Sequence, residues 1–295
     1  MHAKPIIDLI SKLSIIYGLS STNVFANSEQ CMPDSLWLNP ASMQSVASSD
    51  VFSQLNQNPI LLMGEHHANA NHHSWHLDTL TKLSRDNNNI VLGFEMLPRS
   101  KQDLLNRWVA GKLNQKEFLR MLNWDELWGF DLNHYLPLFL FARDKKIPIV
   151  ALNIEQALVK NIANRDWSKT DFSLYPITKP ANPPPEYIRQ LAVSFTRHKF
   201  EPLSESDKEK FHRFVKQQLI WDRVMAESIV KSIDNSSNVL FIGFAGSWHL
   251  INRFGIVFQL NSLGHNEITT LIPWDKNLDC SDLNSTFANY IYVSE

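Results

Sequence analysis

The chain has 295 residues, 44% of them hydrophobic and 20% charged, with a formal net charge of −2. That length can bury one large core, and a near-neutral charge without a dense Lys/Arg block offers a phosphate backbone nothing to hold, so nucleic-acid binding is not expected. No stretch of about 18 apolar residues occurs, so a permanent membrane span is not expected either.

Residues 1–26 read as an export signal: Lys4 and Lys12 precede the apolar run Leu13 to Leu19, and Val24-Phe25-Ala26 resembles a signal-peptidase site. An uncleaved amphipathic helix is the other reading, because Asp8 and Lys12 make the apolar run short. Cys31 follows Ser28-Glu29-Gln30 rather than the Leu-Ala-Gly type of sequence that lipid attachment needs. Cys31 and Cys280 are the two cysteines; in an oxidising compartment they could pair and staple the termini, and two unpaired thiols are the alternative.

A helix is expected from Ser42 to Asn56. Ile60 to Met63 is then an unbroken apolar run, too short for a typical helix and suited to a strand buried on both faces. It breaks at Gly64 and delivers Glu65, His66 and His67, and five of the eleven histidines fall between His66 and His76. A following helix capped by Asn71 or Ser74 would carry Leu77, Leu80 and Leu83 inward, with His73 and His76 leaning to the same side. His72 and His76, four apart, are close enough to share a ligand. A His-rich surface turn is the plainer reading of the imidazoles, but a carboxylate directly after a buried strand needs water or a partner.

Ile90 to Met96 is the second strand, and the order strand, helix, strand argues for a parallel pair. Glu95 ends it as Glu65 follows the first, and the carboxyl edge of an open parallel sheet is where ligands sit. An acid facing a helix N-terminus ahead of Pro98 is the alternative role for Glu95. Helical patterns follow around Leu104, Leu105 and Trp108, around Phe118, Leu119 and Leu122, and from Tyr135 to Ala142. Between them Trp124 to Gly129 is an aromatic box, either a loop packed on the core or a cofactor pocket. Ile147 to Asn153 is the third strand, with the Asn153 amide at the same edge, and a helix at 154–164 comes next.

Residues 165–206 form an excursion interrupted by prolines 176, 180, 183, 184, 185 and 202, with one helix from Glu186 to about His198. Asp207 to Ile233 is the longest helical pattern. Phe211, Val215, Met225 and Ile229 share one face with Gln218 and Asp222 in its middle, so Asp222 must be paired, either to a site histidine or to a loop backbone. Asn238 to Gly246 is the fourth strand, running into Gly246-Ser247-Trp248-His249, and Ile268 to Ile272 adds an edge strand. The expected fold is a three-layer α/β/α domain over residues 27–295, with a central, mainly parallel sheet of about four to five strands and a helical insertion.

Three strand ends therefore carry Glu65 with His66, Glu95, and His249, a set fit for general acid and base work or for metal ligation. No Gly-x-Ser-x-Gly elbow or Gly-x-Gly-x-x-Gly phosphate loop accompanies it.

Gly64-Glu65-His66, Gly93-Phe94-Glu95-Met96, Trp124 with Trp128-Gly129 and Tyr135, and Ile147-Pro148 to Asn153 occur in that order. Phe195-Thr196-Arg197-His198, Trp221-Asp222 with Met225-Ala226, and Ala245-Gly246 with His249 continue the series. Over residues 59 to 260 this set resembles the ChaN-like haem-binding uptake proteins, distant relatives of the erythromycin-esterase and Tiki/TraB-type hydrolases. The resemblance implies an exported, periplasmic or outer-membrane-associated protein that binds haem in iron uptake as a homodimer, in contact with haem-uptake machinery. The sequence before Cys31 departs from the lipoprotein pattern common in that family.

Held by tyrosine and histidine, as the resemblance implies, the haem would take its iron ligand from among Tyr187, His198, His66, His67, His73 and His76, with Trp128 able to cover a porphyrin face. Asn153 and Asp222 would support the cluster. The alternative function is a hydrolase, an esterase or metal-dependent peptidase, in which Glu65, His66, Glu95 and His249 act with a divalent metal.

Overall fold

The computed structural model describes residues 36–294 apart from 56, 197–203, 235–237, 277, 279 and 282. The expected export signal, Cys31 and His198 lie outside the described residues. Cys280 is disulfide-bonded. Among the described residues no helix is long and apolar enough to cross a membrane.

Each apolar run read as a strand is one. The strands are β1 (Trp37–Asn39), β2 (Gln44–Ser45), β3 (Ile60–Glu65), β4 (Ile90–Pro98), β5 (Ile149–Asn153), β6 (Leu240–Gly246), β7 (Ile268–Asp275) and β8 (Tyr290–Ser294). The helices are α1 (Ser48–Leu55), α2 (Ala70–Asp86), α3 (Gln102–Val109), α4 (Gln115–Leu122), α5 (Trp124–Leu127), α6 (Leu132–Lys145), α7 (Gln156–Ala163), α8 (Pro185–Phe195), α9 (Glu205–Asp234) and α10 (Ile256–Ser262).

One eight-stranded sheet holds them in the order β2-β1-β8-β7-β3-β6-β4-β5. From β8 to β5 every neighbouring pair is parallel, while β1 runs antiparallel to both β8 and β2. The sheet is thus larger than the four to five strands expected. The additions, β1, β2 and β8, form one side of it, so Ile268 to Ile272, expected at the edge, lies in β7 inside the sheet, paired with β8 on one side and β3 on the other. The expected helix at Ser42 to Asn56 is shortened to α1, because its first residues complete β2 and the turn before the helix.

Alternation along the central strands sorts the core into two layers. Leu61, Met63, Leu92, Phe94, Ile242 and Phe244 pack with Leu80 and Leu83 of α2, Leu105 and Trp108 of α3, and Phe139 of α6. Ile60, Leu62, Val91, Phe241 and Ala245 face the other way, onto Met225 and Ile229 of α9 and Val257 and Leu260 of α10. Residues 165–196 lie outside these layers: Phe172 and Ile177 pack on Ile220 and Val224 of α9, and Tyr187, Ile188 and Leu191 of α8 pack on Phe211, Val215 and Leu219.

Two corrections of topology bear on the site. β3 and β4 are parallel but not neighbours, because β6 is inserted between them. Glu95 does not end β4; it follows the last residue paired with β6, Phe94, at the register shift between Phe94 and Pro98 against β5.

Candidate functional site

Glu65 is the last residue of β3, paired with Gly246 of β6, and it is buried. Its two oxygens have opposite surroundings. Oε1 accepts hydrogen bonds from the Tyr135 hydroxyl at 2.6 Å and from His67 Nδ1 at 2.8 Å. Oε2 accepts none, and faces Nδ1 of His76 at 3.6 Å and of His73 at 3.7 Å. Burial works to raise the Glu65 pKa, but the His67 hydrogen bond and the surrounding imidazoles prevail and lower it to about 2. Burial in turn dominates at His76, lowering its pKa to about 4, and lowers that of His73.

His73 and His76 are brought in by α2, whose N-cap is Asn69: its side chain accepts from the Asn71 backbone N–H, so neither Asn71 nor Ser74 caps the helix. The pair sharing a surrounding is His73 with His76, not His72 with His76. His72 Nδ1 instead accepts the His66 backbone N–H at 2.9 Å, and its Nε2 lies near Asn69 and Asp275.

A second buried group stands on the far side of β6. His249, in the turn Ser247–His249, donates from Nδ1 to Asp222 Oδ1 at 2.6 Å, and its Nε2 lies 3.5 Å from Glu95 Oε1. The Tyr187 hydroxyl donates to Asp222 Oδ2 at 2.6 Å. The middle of α9 therefore holds a fully buried carboxylate satisfied by one imidazole and one phenol, as the position of Asp222 within an apolar face requires. Burial alone would lower the His249 pKa; the Glu95 and Asp222 carboxylates outweigh it and raise it to about 9. Glu95 Oε2 accepts the Gly246 backbone N–H at 2.6 Å, and Asn153 Nδ2 donates to the Glu95 carbonyl at 3.2 Å, fixing the residue from β6 and from β5.

Gly246 is where the two groups meet. A Cβ there would lie 3.0 Å from the His67 ring and 3.6 Å from Glu95 Oε2, so only glycine leaves His67 room beside Glu95. Burial works to lower the His67 pKa; the Glu65 hydrogen bond, with the Glu95 charge, holds it raised. His67 thus bridges the groups, with its Nδ1 tied to Glu65 and its side chain 24% exposed.

Around His67 the surface is aromatic. Trp128 and Phe130 lie with ring centroids 4.9 and 5.1 Å from it, Phe130 is exposed, and so is His66. Trp124 is buried, its indole N–H donating to the Phe130 carbonyl, so the aromatic box is a short helix packed on the core whose far end, Trp128, reaches the rim. Of the residues read from the sequence, Glu65, His67, His73, His76, Glu95, Asn153, Asp222, Tyr187 and His249 form these two buried groups, and His66, His67 and Trp128 make the rim. Tyr187 is buried with its hydroxyl spent on Asp222, away from the rim. Tyr135, which steadies Glu65, stands among the residues of the family resemblance, but nothing in the sequence singled it out as a site residue.

Residues 51–260 match the haem-binding uptake family of the Tiki superfamily, ChaN. The chain belongs to this family. Every residue of both buried groups lies inside the matched stretch. Among solved structures, ChaN of Campylobacter jejuni, described with cofacial haem binding, is similar at 21% identity over 86% of this chain and 94% of that one, with a TM-score of 0.69. The fold is therefore the ChaN fold. Weaker likenesses join this ChaN-family chain to an erythromycin esterase, EreC (11% identity, 81% of this chain and 77% of that one, TM-score 0.48). A MARTX toxin effector domain, RRSP of Vibrio vulnificus, is similar at 17% over 80% of this chain and 37% of that one, with a TM-score of 0.46. No curated protein matches the chain.

Proposed function

We propose that the protein is exported, binds haem, and serves haem or iron uptake in the periplasm or at the outer membrane. Membership of a family described as haem-binding supports the haem; the observation in this chain that carries the reading is His67. Its Nδ1 donates to the Glu65 carboxylate, its Nε2 makes no hydrogen bond among the described residues, and Trp128 and Phe130 flank it at the surface. An imidazole tied through one nitrogen to a carboxylate is oriented and made more basic at the other, the arrangement that suits a metal ligand. Exposed aromatic faces suit a porphyrin.

His67, with the exposed His66 as second candidate, is thus the iron ligand on this reading, and Trp128 and Phe130 would cover the macrocycle. Bound haem would supply a redox-active iron centre and an intense absorption band. A homodimer closing over this rim, and docking to uptake machinery, are part of the same proposal. Hemin titrations test the assignment: His67→Ala should weaken binding at least about tenfold and shift the absorption band. Binding as tight as wild type by both His67→Ala and a His66→Ala/His67→Ala double variant would refute the ligand.

One observation favours a second reading. His249 stands between two carboxylates, at 2.6 Å from Asp222 and 3.5 Å from Glu95, a setting in which an imidazole can hold and release a proton for hydrolysis. Under it, His249→Ala abolishes ester or amide cleavage while hemin binding persists.

A further inference from the structure

Three atoms with lone pairs face one another behind the rim. Glu65 Oε2, His73 Nδ1 and His76 Nδ1 lie within 4.8 Å of one another, all three residues are buried, and none of the three atoms has a hydrogen-bond partner. Both imidazoles have their tautomer set from the other side. His76 Nε2 lies 2.9 Å from the Gly64 carbonyl and His73 Nε2 3.1 Å from the His67 carbonyl. A carbonyl oxygen only accepts, so each Nε2 carries the proton and each Nδ1 presents a lone pair.

A carboxylate oxygen aimed at two imidazole lone pairs, away from water, is unfavourable unless a cation lies between them. A proton on either Nδ1 would draw it to about 2.8 Å from Oε2, the length of a charge-assisted hydrogen bond. The observed 3.6 and 3.7 Å exceed that in both pairs. They lie close to the edge of a tetrahedron, about 3.4 Å when metal–ligand bonds are about 2.05 Å.

We propose that Glu65 Oε2, His73 Nδ1 and His76 Nδ1 form a binding site for one divalent transition-metal ion of the zinc class. Two imidazoles with one carboxylate suit zinc and its neighbours cobalt and nickel, and exclude a calcium-type site, which needs six or more oxygens. The outer partners that such ligands require are already in place: the Gly64 and His67 carbonyls on the imidazoles, and Tyr135 and His67 on the other oxygen of Glu65. The ion would clamp the end of β3 to the first turns of α2. Its three donor atoms differ from the haem ligand, although Glu65 serves both: Oε2 would hold the ion while Oε1 holds His67.

Chelator-treated full-length protein titrated with Co2+ should take up one equivalent, giving visible d–d bands that Zn2+ abolishes. His73→Gln and His76→Gln should each weaken uptake more than about tenfold, the effect that loss of an outer partner alone can have, while His265→Gln leaves it unchanged. X-ray absorption at the zinc edge of the wild-type chain needs no variant to fold, and should give two imidazole nitrogens and a carboxylate oxygen at about 2.0–2.2 Å. Absence of saturable uptake by the wild type, uptake surviving in folded His73→Gln and His76→Gln, or a zinc shell without imidazole overturns the proposal.

Discussion

Asp222 shows why a single buried charge decides so much of this site. It sits on the apolar face of α9 with no exposure, and its oxygens are taken by His249 and Tyr187. Removing the carboxylate strands an imidazole and a phenol without their acceptor, so Asp222→Ala should cost about 3–5 kcal/mol; a urea midpoint unchanged from wild type would contradict that. His249 also makes stability depend on pH. Its pKa, near 6.5 when unfolded, is raised to about 9 in the fold, so its contribution is complete below about pH 6.5 and is lost as the pH rises through 9. The melting temperature should fall across that interval, and His249→Gln should flatten the fall.

At this scale the sequence disclosed what breaks a pattern: Glu65, Glu95 and His249 are polar residues where apolar runs stop, and Asp222 is a charge inside an apolar stripe. It did not disclose partners that come from distant segments. Nothing near Tyr135 signals that its hydroxyl meets Glu65, 70 positions away. His72 and His73 both lie within one turn of His76, and only the hydrogen bond that occupies His72 shows which of them is left facing Glu65.

Among elements, those that hold the site were legible where burial on both faces wrote them as largely apolar runs, β3, β4, β5 and β6; β7, with Thr269 and Thr270 inside it, read only as an edge strand. β1 and β2 have three and two residues, too few to show any period. β8 is short and lies across a turn-rich segment from β7, and its pairing with β1 brings together opposite ends of the chain. The turn between β6 and α10 is the tightest constraint at this level. Gly255 has φ of 59° and ψ of −120°, and a Cβ there would collide with the His249 carbonyl and lie 3.0 Å from Asp222 Oδ1. Gly255→Ala should therefore destabilise by roughly 2 kcal/mol or more and displace His249, measurable as a lowered melting temperature with a weakened alkaline limb.

For the whole molecule, strand order is what makes a site out of separate motifs. The order of apolar runs along the chain suggests neighbours β3 and β4, whereas the sheet inserts β6 between them. That insertion sets Gly246 between Glu65 and Glu95 and puts His67 within reach of both groups. The choice is made by packing of α9 and α10 on one face against α2, α3 and α6 on the other, contacts too distant in sequence for local patterns to record. The carboxyl rim so assembled has a buried polar interior and an aromatic mouth.

What that mouth binds is decided most directly by absorption. The visible spectrum of the protein should be followed while hemin is added to and beyond one equivalent per chain. A sharpened, shifted Soret band that saturates near one equivalent is the predicted result. A spectrum indistinguishable from free hemin at every ratio would contradict it.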